Sequence, residues 1–365
     1  MIVINISTLT CALFQEGVAP LPKPRLLSPI AAYEHAVEVG TLEQLEELVS
    51  DPDEMRMQAL LVRERILGPA HPDTSYYIRY RGAVYADAGQ FDRCVSLWTY
   101  ALDMQQRMLE PLNPMTQSSL FSFTELFSFM MSERSRIRGA GRGRQVPPVS
   151  FEDVLAVFRK AVHELAVGSA QMAKNTGDRD IAFFQRTLLL TMNLCCLLAR
   201  LLPNLSVSQA HSLRQITHSL VRLSPLGQKG STPLHLACCR DSSVAKRYSV
   251  CSFPAPELVS LLLEVGAAPD ARDHEGNTPL HVAALANPCP PELVKALVNG
   301  GAHLDLVNGE GRTFFQLLQG QKVHELVNTV KYTTLQCLAA RTINKHRVPY
   351  RGMIPVALES FVAMH

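Results

Sequence analysis

The fold is decided by a short stretch that occurs twice. The chain reads STPLHLA at residues 231–237 and NTPLHVA at residues 277–283, and ELVSLLLEVGAAPDARDHEGNTPLH runs over residues 257–281. Proline directly after threonine suits the first position of a helix, because its missing N–H leaves no hydrogen bond unmade there. The apolar residues that follow return at helical spacing. The stretch therefore predicts short helices, each opened by Thr-Pro, in a repeating unit.

This unit resembles the ankyrin repeat. The structural positions of the motif are Thr232, Pro233, His235, Gly266, Gly276, Thr278, Pro279 and His281. The two Thr-Pro starts lie 46 residues apart, whereas an ankyrin repeat has about 33 residues, so an insertion is expected within residues 242–256. The third unit reads TFFQ at residues 313–316 and lacks Pro, Leu and His. We expect it to cap the stack.

A different repeat precedes the ankyrin region. RERILGPAHPDT at residues 63–74 and MQQRMLEPLNPMT at residues 104–116 align with an offset of 42 residues. Between them, small and aromatic residues recur at helix-pair spacing: Gly82, Tyr85, Gly89, Phe91, Trp98 and Ala101. The pattern resembles the tetratricopeptide (TPR) helix-turn-helix repeat, in which small residues let two helices approach closely. Gly89 is expected at the turn, where a left-handed residue is needed.

These patterns predict an all-α chain built as a helical repeat solenoid. We expect an unassigned leader (1–29), TPR-like helices (30–132), an Arg/Gly-rich linker (133–149), bridging helices (150–228), ankyrin repeats with a degraded cap (229–330) and a helical tail (331–365). Nine cysteines without regular spacing among 365 residues are typical of reduced thiols in an intracellular protein. No uncharged apolar stretch reaches the roughly 20 residues of a membrane span, so none is expected.

Nothing in the sequence indicates catalysis. It has no phosphate-binding glycine loop, no nucleophile elbow, no HExxH and no CxxC, and we predict a non-enzyme without cofactor or metal. His71, His235, His281 and His303 fall in repeat turns or helix starts, and Cys94 and Cys337 fall at helical packing positions with no His or acid placed nearby by the pattern. The net charge is only +2. Nucleic-acid binding by the arginines of 134–144 is an alternative to a plain linker.

The tail carries two apolar stripes. Leu335, Leu338, Ala339 and Ile343 share one face of a first helix, and Ile354, Leu358, Phe361 and Val362 share a face of a second, which Pro355 can open. One interpretation is that both helices pack onto the ankyrin repeats and seal them, which must be partly true because a single exposed helix this short is marginal in water. The other interpretation is that the apolar faces bind a partner.

The order of side chains in the tail resembles two known boxes. Thr334-Leu335-x-x-x-Ala339-x-x-x-Ile343 resembles the elongin-binding box of cullin-RING ligase receptors, and Ile354-Pro355-x-x-Leu358 resembles the cullin-2 box that follows it. With SYYIRYRGAVYADAGQFDRCVSLWTYALDMQQ at residues 75–106, these boxes make residues 30–365 resemble the feminization (Fem) family of substrate receptors for cullin-2 ubiquitin ligases. The resemblance implies that Leu335, Leu338, Ala339 and Ile343 bind elongin C, and that Ile354, Pro355 and Leu358 bind cullin-2.

The resemblance implies a non-catalytic adaptor that brings proteins with C-terminal degrons to elongin B/C, cullin-2 and its RING subunit for ubiquitylation and proteasomal degradation. The expected compartment is the cytoplasm, with the nucleus left open, and neither nucleic acid nor membrane is an expected partner. Family members begin with a longer ankyrin array that holds the main degron pocket. We expect a truncated form or gene model here, which would bind C-terminal arginine peptides poorly. The alternative is an ankyrin/TPR scaffold unconnected to ubiquitylation.

Overall fold

The computed structural model describes residues 28–137, 146–174, 177–286, 288–318 and 332–365. Residues 1–27 of the leader and 138–145 of the Arg/Gly-rich linker lie outside these ranges, as does the end of the degraded cap. The described residues form α-helices and short 3-10 helices with no β-strand among them, so the chain is an all-α helical repeat protein, as predicted. The chain divides into two compact units, Met1–Phe123 and Thr124–His365.

Five α-helices begin among the described residues of the first unit. They are α1 (Leu42–Val49), α2 (Pro52–Leu67), α3 (Pro72–Asp87), α4 (Phe91–Met108) and α5 (Pro114–Ile137), the last of which contains the unit boundary. Side-chain oxygens or nitrogens cap several starts: Asp51 accepts from the N–H groups of Asp53 and Glu54, and His71 accepts from Asp73 N–H. These caps satisfy N–H groups that a helix cannot pair internally.

The α3–α4 pair depends on a close approach at Gly82. A Cβ on Gly82 would lie 2.4 Å from Cδ1 of Trp98, which is closer than any real contact. Trp98 Nε1 donates to the carbonyl oxygen of Arg79 at 2.8 Å, so the indole is fixed across the helix pair. Gly89 has a φ of 79° at the turn between the helices. Tyr85, Phe91, Trp98 and Ala101 are all buried.

The second unit opens with a long helical hairpin. α6 (Phe151–Met172) begins at Ser150, whose hydroxyl accepts from Asp153 N–H, and α7 (Asp178–Leu201) packs along it. By length and composition alone, one described helical stretch, Asp178–Asn204, is apolar enough to cross a membrane, although it contains charged residues that an uncharged-stretch criterion excludes. Two thirds of its most apolar window (67%) is buried, as in the core helix of a globular unit.

The ankyrin region follows a further helix, α8 (Val207–Arg222). Its helices are α9 (Pro233–Cys238), α10 (Pro256–Glu264), α11 (Pro279–Leu285), α12 (Pro291–Asn299) and α13 (Phe314–Leu317). His235 Nδ1 lies 2.8 Å from Thr232 Oγ1 and its Nε2 lies 2.9 Å from the carbonyl oxygen of Asn277 in the next unit. His281 repeats the arrangement with Thr278 and, at 3.1 Å, with the carbonyl oxygen of Arg312. Each histidine therefore caps its own helix and joins two units.

The two ankyrin glycines occupy different surroundings. Both have positive φ, 95° at Gly266 and 74° at Gly276. A Cβ on Gly276 would lie 2.6 Å from the backbone nitrogen of Gly309, whereas a Cβ on Gly266 would meet nothing within 4 Å. Gly276 thus serves a close contact between neighbouring hairpins, while Gly266 serves only the turn.

The insertion between the first two ankyrin units packs against α7. It contains 3-10 helices at Arg240–Ser242 and Ser249–Cys251. The buried amide of Asn193 on α7 donates to the carbonyl oxygen of Ser242 at 2.8 Å and accepts from Val244 N–H at 3.1 Å. The Cys251 thiol also points at Asn193 Oδ1, at 3.0 Å. One side chain therefore satisfies polar groups near both ends of the insertion.

Candidate functional site

The tail forms the two helices that the sequence predicts. The first, α14 (Leu335–Lys345), begins at Thr334, whose hydroxyl accepts from Cys337 N–H at 3.2 Å. The second, α15 (Val356–Met364), begins after Pro355, which stands at the N-cap position. Between them the chain reverses direction through Arg347 and Gly352, both with positive φ. The two helices pack against each other, and Asn344 Nδ2 donates to the carbonyl oxygen of Val362 at 2.6 Å.

Small or terminal residues face inward from these helices. Cys337 and Ala340 are the buried residues of α14, and Val362 and His365 are buried at the end of α15. Arg272 of the ankyrin region donates to the carbonyl oxygen of Met364 at 2.8 Å. These contacts hold the tail against the ankyrin units, so the sealing interpretation describes one face of the tail.

The predicted elongin-binding residues face outward. Leu335 is 85% exposed and Leu338 is 46% exposed, Ala339 is exposed, and Ile343 is half-buried. A leucine at the first turn of a helix with most of its surface in water gains nothing for the fold. The arrangement instead leaves an apolar ridge available to another polypeptide.

The predicted cullin-binding residues lie around the start of α15. Pro355 and Leu358 are exposed, and Ile354 is half-buried. Two apolar neighbours that the sequence interpretation did not select are more exposed still: Met353 and, at 81%, Val356. The helical periodicity of the tail pointed to Ile354 and Leu358. It could not show that Met353 and Val356 lie beside them at the surface.

Three of the buried cysteine thiols are poor nucleophiles. Burial raises the pKa of Cys94 and of Cys195 to about 12 and that of Cys289 to about 11. A thiol with so high a pKa carries almost no thiolate near neutral pH, and the thiolate is the reactive form. Burial also lowers the pKa of His235 and of His281, consistent with neutral structural imidazoles.

One grouping was missed by the sequence interpretation. His303, Cys337 and His365 each place a ligand-type atom within 4.8 Å of the others. The sequence pattern places no histidine near Cys337, whereas the fold brings two of them there. The three residues are separated by 34 and 28 positions in the chain, and no spacing motif of that kind exists, so only the folded tail brings them together.

Comparison with known proteins adds two findings. A family profile described as ankyrin repeats in three copies matches residues 204–308. Fem-1 homologs match nearly the whole chain. Protein fem-1 homolog A of Danio rerio is 48% identical over 346 residues, covering 94% of this chain and 54% of the relative.

Two further relatives agree in extent. Protein fem-1 homolog CG6966 of Drosophila melanogaster is 44% identical over 397 residues, covering 97% of this chain and 59% of the relative. Protein fem-1 homolog C of Xenopus laevis is 47% identical over 350 residues, covering 96% of this chain and 54% of the relative. The chain thus spans between half and three fifths of the length of these curated relatives.

Proposed function

We propose that this chain is a member of the Fem-1 family and acts as a substrate-recognition adaptor of a cullin-2–elongin B/C ubiquitin ligase. In this proposal α14 binds elongin C through Leu335, Leu338, Ala339 and Ile343. The start of α15 binds cullin-2, which carries the RING subunit, through Ile354, Pro355 and Leu358. The adaptor presents proteins with C-terminal degrons for ubiquitylation and degradation, in the cytoplasm and, as a second compartment, the nucleus.

The exposed side chain of Leu335 is the observation that carries the proposal. Moving one exposed leucine into a protein pocket contributes roughly 1.5–3 kcal/mol, and interface energy concentrates in such anchors. Ala339 lies one turn further on the same exposed face. A residue without a bulky side chain at that point lets a partner helix approach the α14 backbone.

The direct test is co-purification of the Leu335→Asp variant with elongin B/C. We expect binding to be lost while helical content and melting temperature stay unchanged, because Leu335 makes little contact with its own chain. Val207→Asp is the matched control: Val207 is 89% exposed at the first turn of α8 and lies outside the tail. The control should bind elongin B/C as the wild type does.

Leu358→Asp tests the cullin half of the proposal. This variant should still co-purify with elongin B/C but lose cullin-2. If the wild-type chain binds no elongin, or if Leu335→Asp binds it undiminished, the adaptor role assigned to the tail is wrong. A scaffold whose tail only seals the ankyrin units would then account for the buried contacts of Cys337, Ala340 and Val362.

A further inference from the structure

A cluster of polar groups lies beneath the tail, on the side away from the exposed leucines. His303 and Asp305 belong to the turn that follows α12, Cys337 lies on α14, and His365 follows α15. Cys337, Asp305 and His365 are buried, and the side chain of His365 has no solvent exposure at all. Buried polar groups are costly unless each finds a partner. The hydrogen bonds of these four residues therefore show which of their polar atoms still lack a partner.

The hydrogen bonds fix which atoms of the cluster carry lone pairs. His303 Nδ1 lies 2.5 Å from Asp270 Oδ2, and a carboxylate only accepts, so Nδ1 bears a hydrogen and the lone pair of the neutral imidazole lies on Nε2. His365 Nδ1 lies 2.9 Å from the carbonyl oxygen of Phe361, which assigns its Nε2 in the same way. The Thr334 hydroxyl lies 3.0 Å from Cys337 Sγ and donates to it.

When His365 is neutral, two acceptors therefore face each other. His365 Nε2 lies 3.4 Å from Asp305 Oδ1, and neither His365 Nε2 nor Asp305 Oδ2 has a hydrogen-bond partner among the described residues. Lone pairs directed at each other in a buried site repel unless a positive charge stands between them. That charge is either a proton on His365 or a metal ion held by the whole cluster.

We propose that His303, Cys337 and His365 bind one Zn²⁺ ion, with Asp305 as the fourth ligand. One thiolate, two imidazoles and a carboxylate form a ligand set that zinc takes in tetrahedral geometry. Donor atoms of such a site stand about 3.3–3.8 Å apart, so His303, Cys337 and His365, whose atoms lie within 4.8 Å of one another, would move about 1 Å closer. Asp305, whose Oδ1 lies 3.4 Å from His365 Nε2, would turn to complete the set. The Cys337 thiol loses its proton to solvent when the metal binds, and no other bond changes.

The surrounding contacts match those of metal-bound histidines. A zinc-ligating histidine usually donates its second ring N–H to a carboxylate or a backbone carbonyl, which fixes the ring and its tautomer. Asp270 accepts such a hydrogen bond from His303, and the backbone carbonyl of Phe361 accepts one from His365. The ion would join α14 and the end of α15 to the ankyrin region, directly beneath the face proposed for elongin.

The test is metal binding by the full chain. The purified wild type, stripped with chelator, dialysed against zinc and desalted, should retain about one zinc per chain by mass spectrometry. X-ray absorption should show a sulfur ligand at about 2.3 Å. Cobalt substitution should give a sulfur-to-cobalt charge-transfer band. These three measurements on the wild type do not depend on whether any variant folds.

Variants then locate the ion. Cys337→Ser and His365→Gln should each weaken zinc affinity by at least about 100-fold, and Asp270→Asn by about 10- to 100-fold through loss of the supporting hydrogen bond. Cys239→Ser is the control, since Cys239 is a half-buried free thiol outside the cluster. Wild type that retains no zinc, zinc without a sulfur ligand, or equal affinity in wild type and folded Cys337→Ser would overturn the proposal. Elongin binding is scored separately, so either proposal can fail alone.

Discussion

Helices α10 and α14 are similar in length and apolar pattern but use their leucines in opposite ways. In α10 the side chains of Leu258, Leu261 and Leu262 are fully buried within the ankyrin region. In α14 the buried positions belong to Cys337 and Ala340, while Leu335 and Leu338 point into solvent. A helix that buries its small residues and exposes its large ones gains little from its own chain. An exposed apolar face of this kind is what the proposed docking role of α14 requires.

The largest expected contrast comes from truncating one leucine on each helix. Leu261→Ala should lower the free energy of unfolding by about 2–5 kcal/mol, because it leaves a cavity in a packed core. Leu335→Ala should change it by no more than about 0.5 kcal/mol, as is usual for exposed sites. Urea unfolding followed by circular dichroism measures both. Equal losses would show that α14 is packed as α10 is, and the comparison would fail.

A glycine pair gives the next contrast. Gly276 in the ankyrin region and Gly352 in the tail have nearly the same φ, 74° and 75°, but only Gly276 has backbone within reach of an added Cβ. Gly352→Ala should cost about 1–2 kcal/mol, the usual strain of a left-handed residue. Gly276→Ala should cost about twice as much, because the hairpin at Gly309 must also move. Thermal unfolding of the two variants checks this, and similar melting temperatures would contradict it.

Substitutions at two neighbouring alanines of α14 distinguish effects on stability from effects on elongin binding. Ala340 is buried and Ala339 is exposed. Ala340→Leu should destabilise the chain by about 1–3 kcal/mol by overpacking. Ala339→Leu should leave stability unchanged and reduce elongin B/C capture, since it adds bulk on the proposed docking face. Melting curves and pull-downs on the same preparations distinguish the two effects, and the reverse pattern would place the docking face on the wrong side of α14.

The smallest effect concerns pH. Burial lowers the pKa of His235 and His281 in the folded chain, although nearby Asp273 opposes the shift in both. The unfolded chain therefore binds more protons, and this contribution to stability is lost as the pH falls below about 6.5. In the third unit Gln316 takes the histidine position, accepting from Thr313 N–H at 2.7 Å. The double variant His235→Gln/His281→Gln should keep both helix caps. Its free energy of unfolding should fall less than that of the wild type as the pH is lowered.

The wild-type curve alone does not isolate this effect. In the metal-free chain, the hydrogen bond that His303 donates to Asp270 raises the pKa of His303, which adds stability below the ordinary histidine value and loses it as the pH rises. Subtracting the unfolding free energy of the double variant from that of the wild type at each pH removes the His303 contribution, because both proteins share it. Equal slopes in both proteins between pH 7.5 and 5.5 would mean that the capping histidines do not titrate on unfolding.

The ankyrin helices could be predicted because their signals are local. Thr232, Pro233 and His235 lie within one turn of helix, and the capping hydrogen bonds they make join residues three apart. The turn at Gly89 is equally local. The burial of α7 could not be read from hydropathy, because it depends on α6 and the ankyrin helices packed around it, and neither enters a hydropathy window.

The candidate site could be predicted only in part. The period of Leu335, Leu338 and Ala339 correctly placed them on one face, but a stripe looks the same whether it packs inward or binds a partner. The side that is buried is decided by distant residues such as Arg272, which holds the end of α15. For the same reason His303, Cys337 and His365 gave no signal, since their proximity exists only in three dimensions.

The ankyrin insertion should tolerate added residues, because the side chain of Asn193 anchors it on both sides of an exposed bend. Its hydrogen bonds tie down the insertion at Ser242, Val244 and Cys251, whereas Lys246 and Arg247 between them are exposed. Extra residues at that exposed bend would leave the anchored ends in place. A fluorophore or short tag inserted there could report on assembly without touching either tail helix.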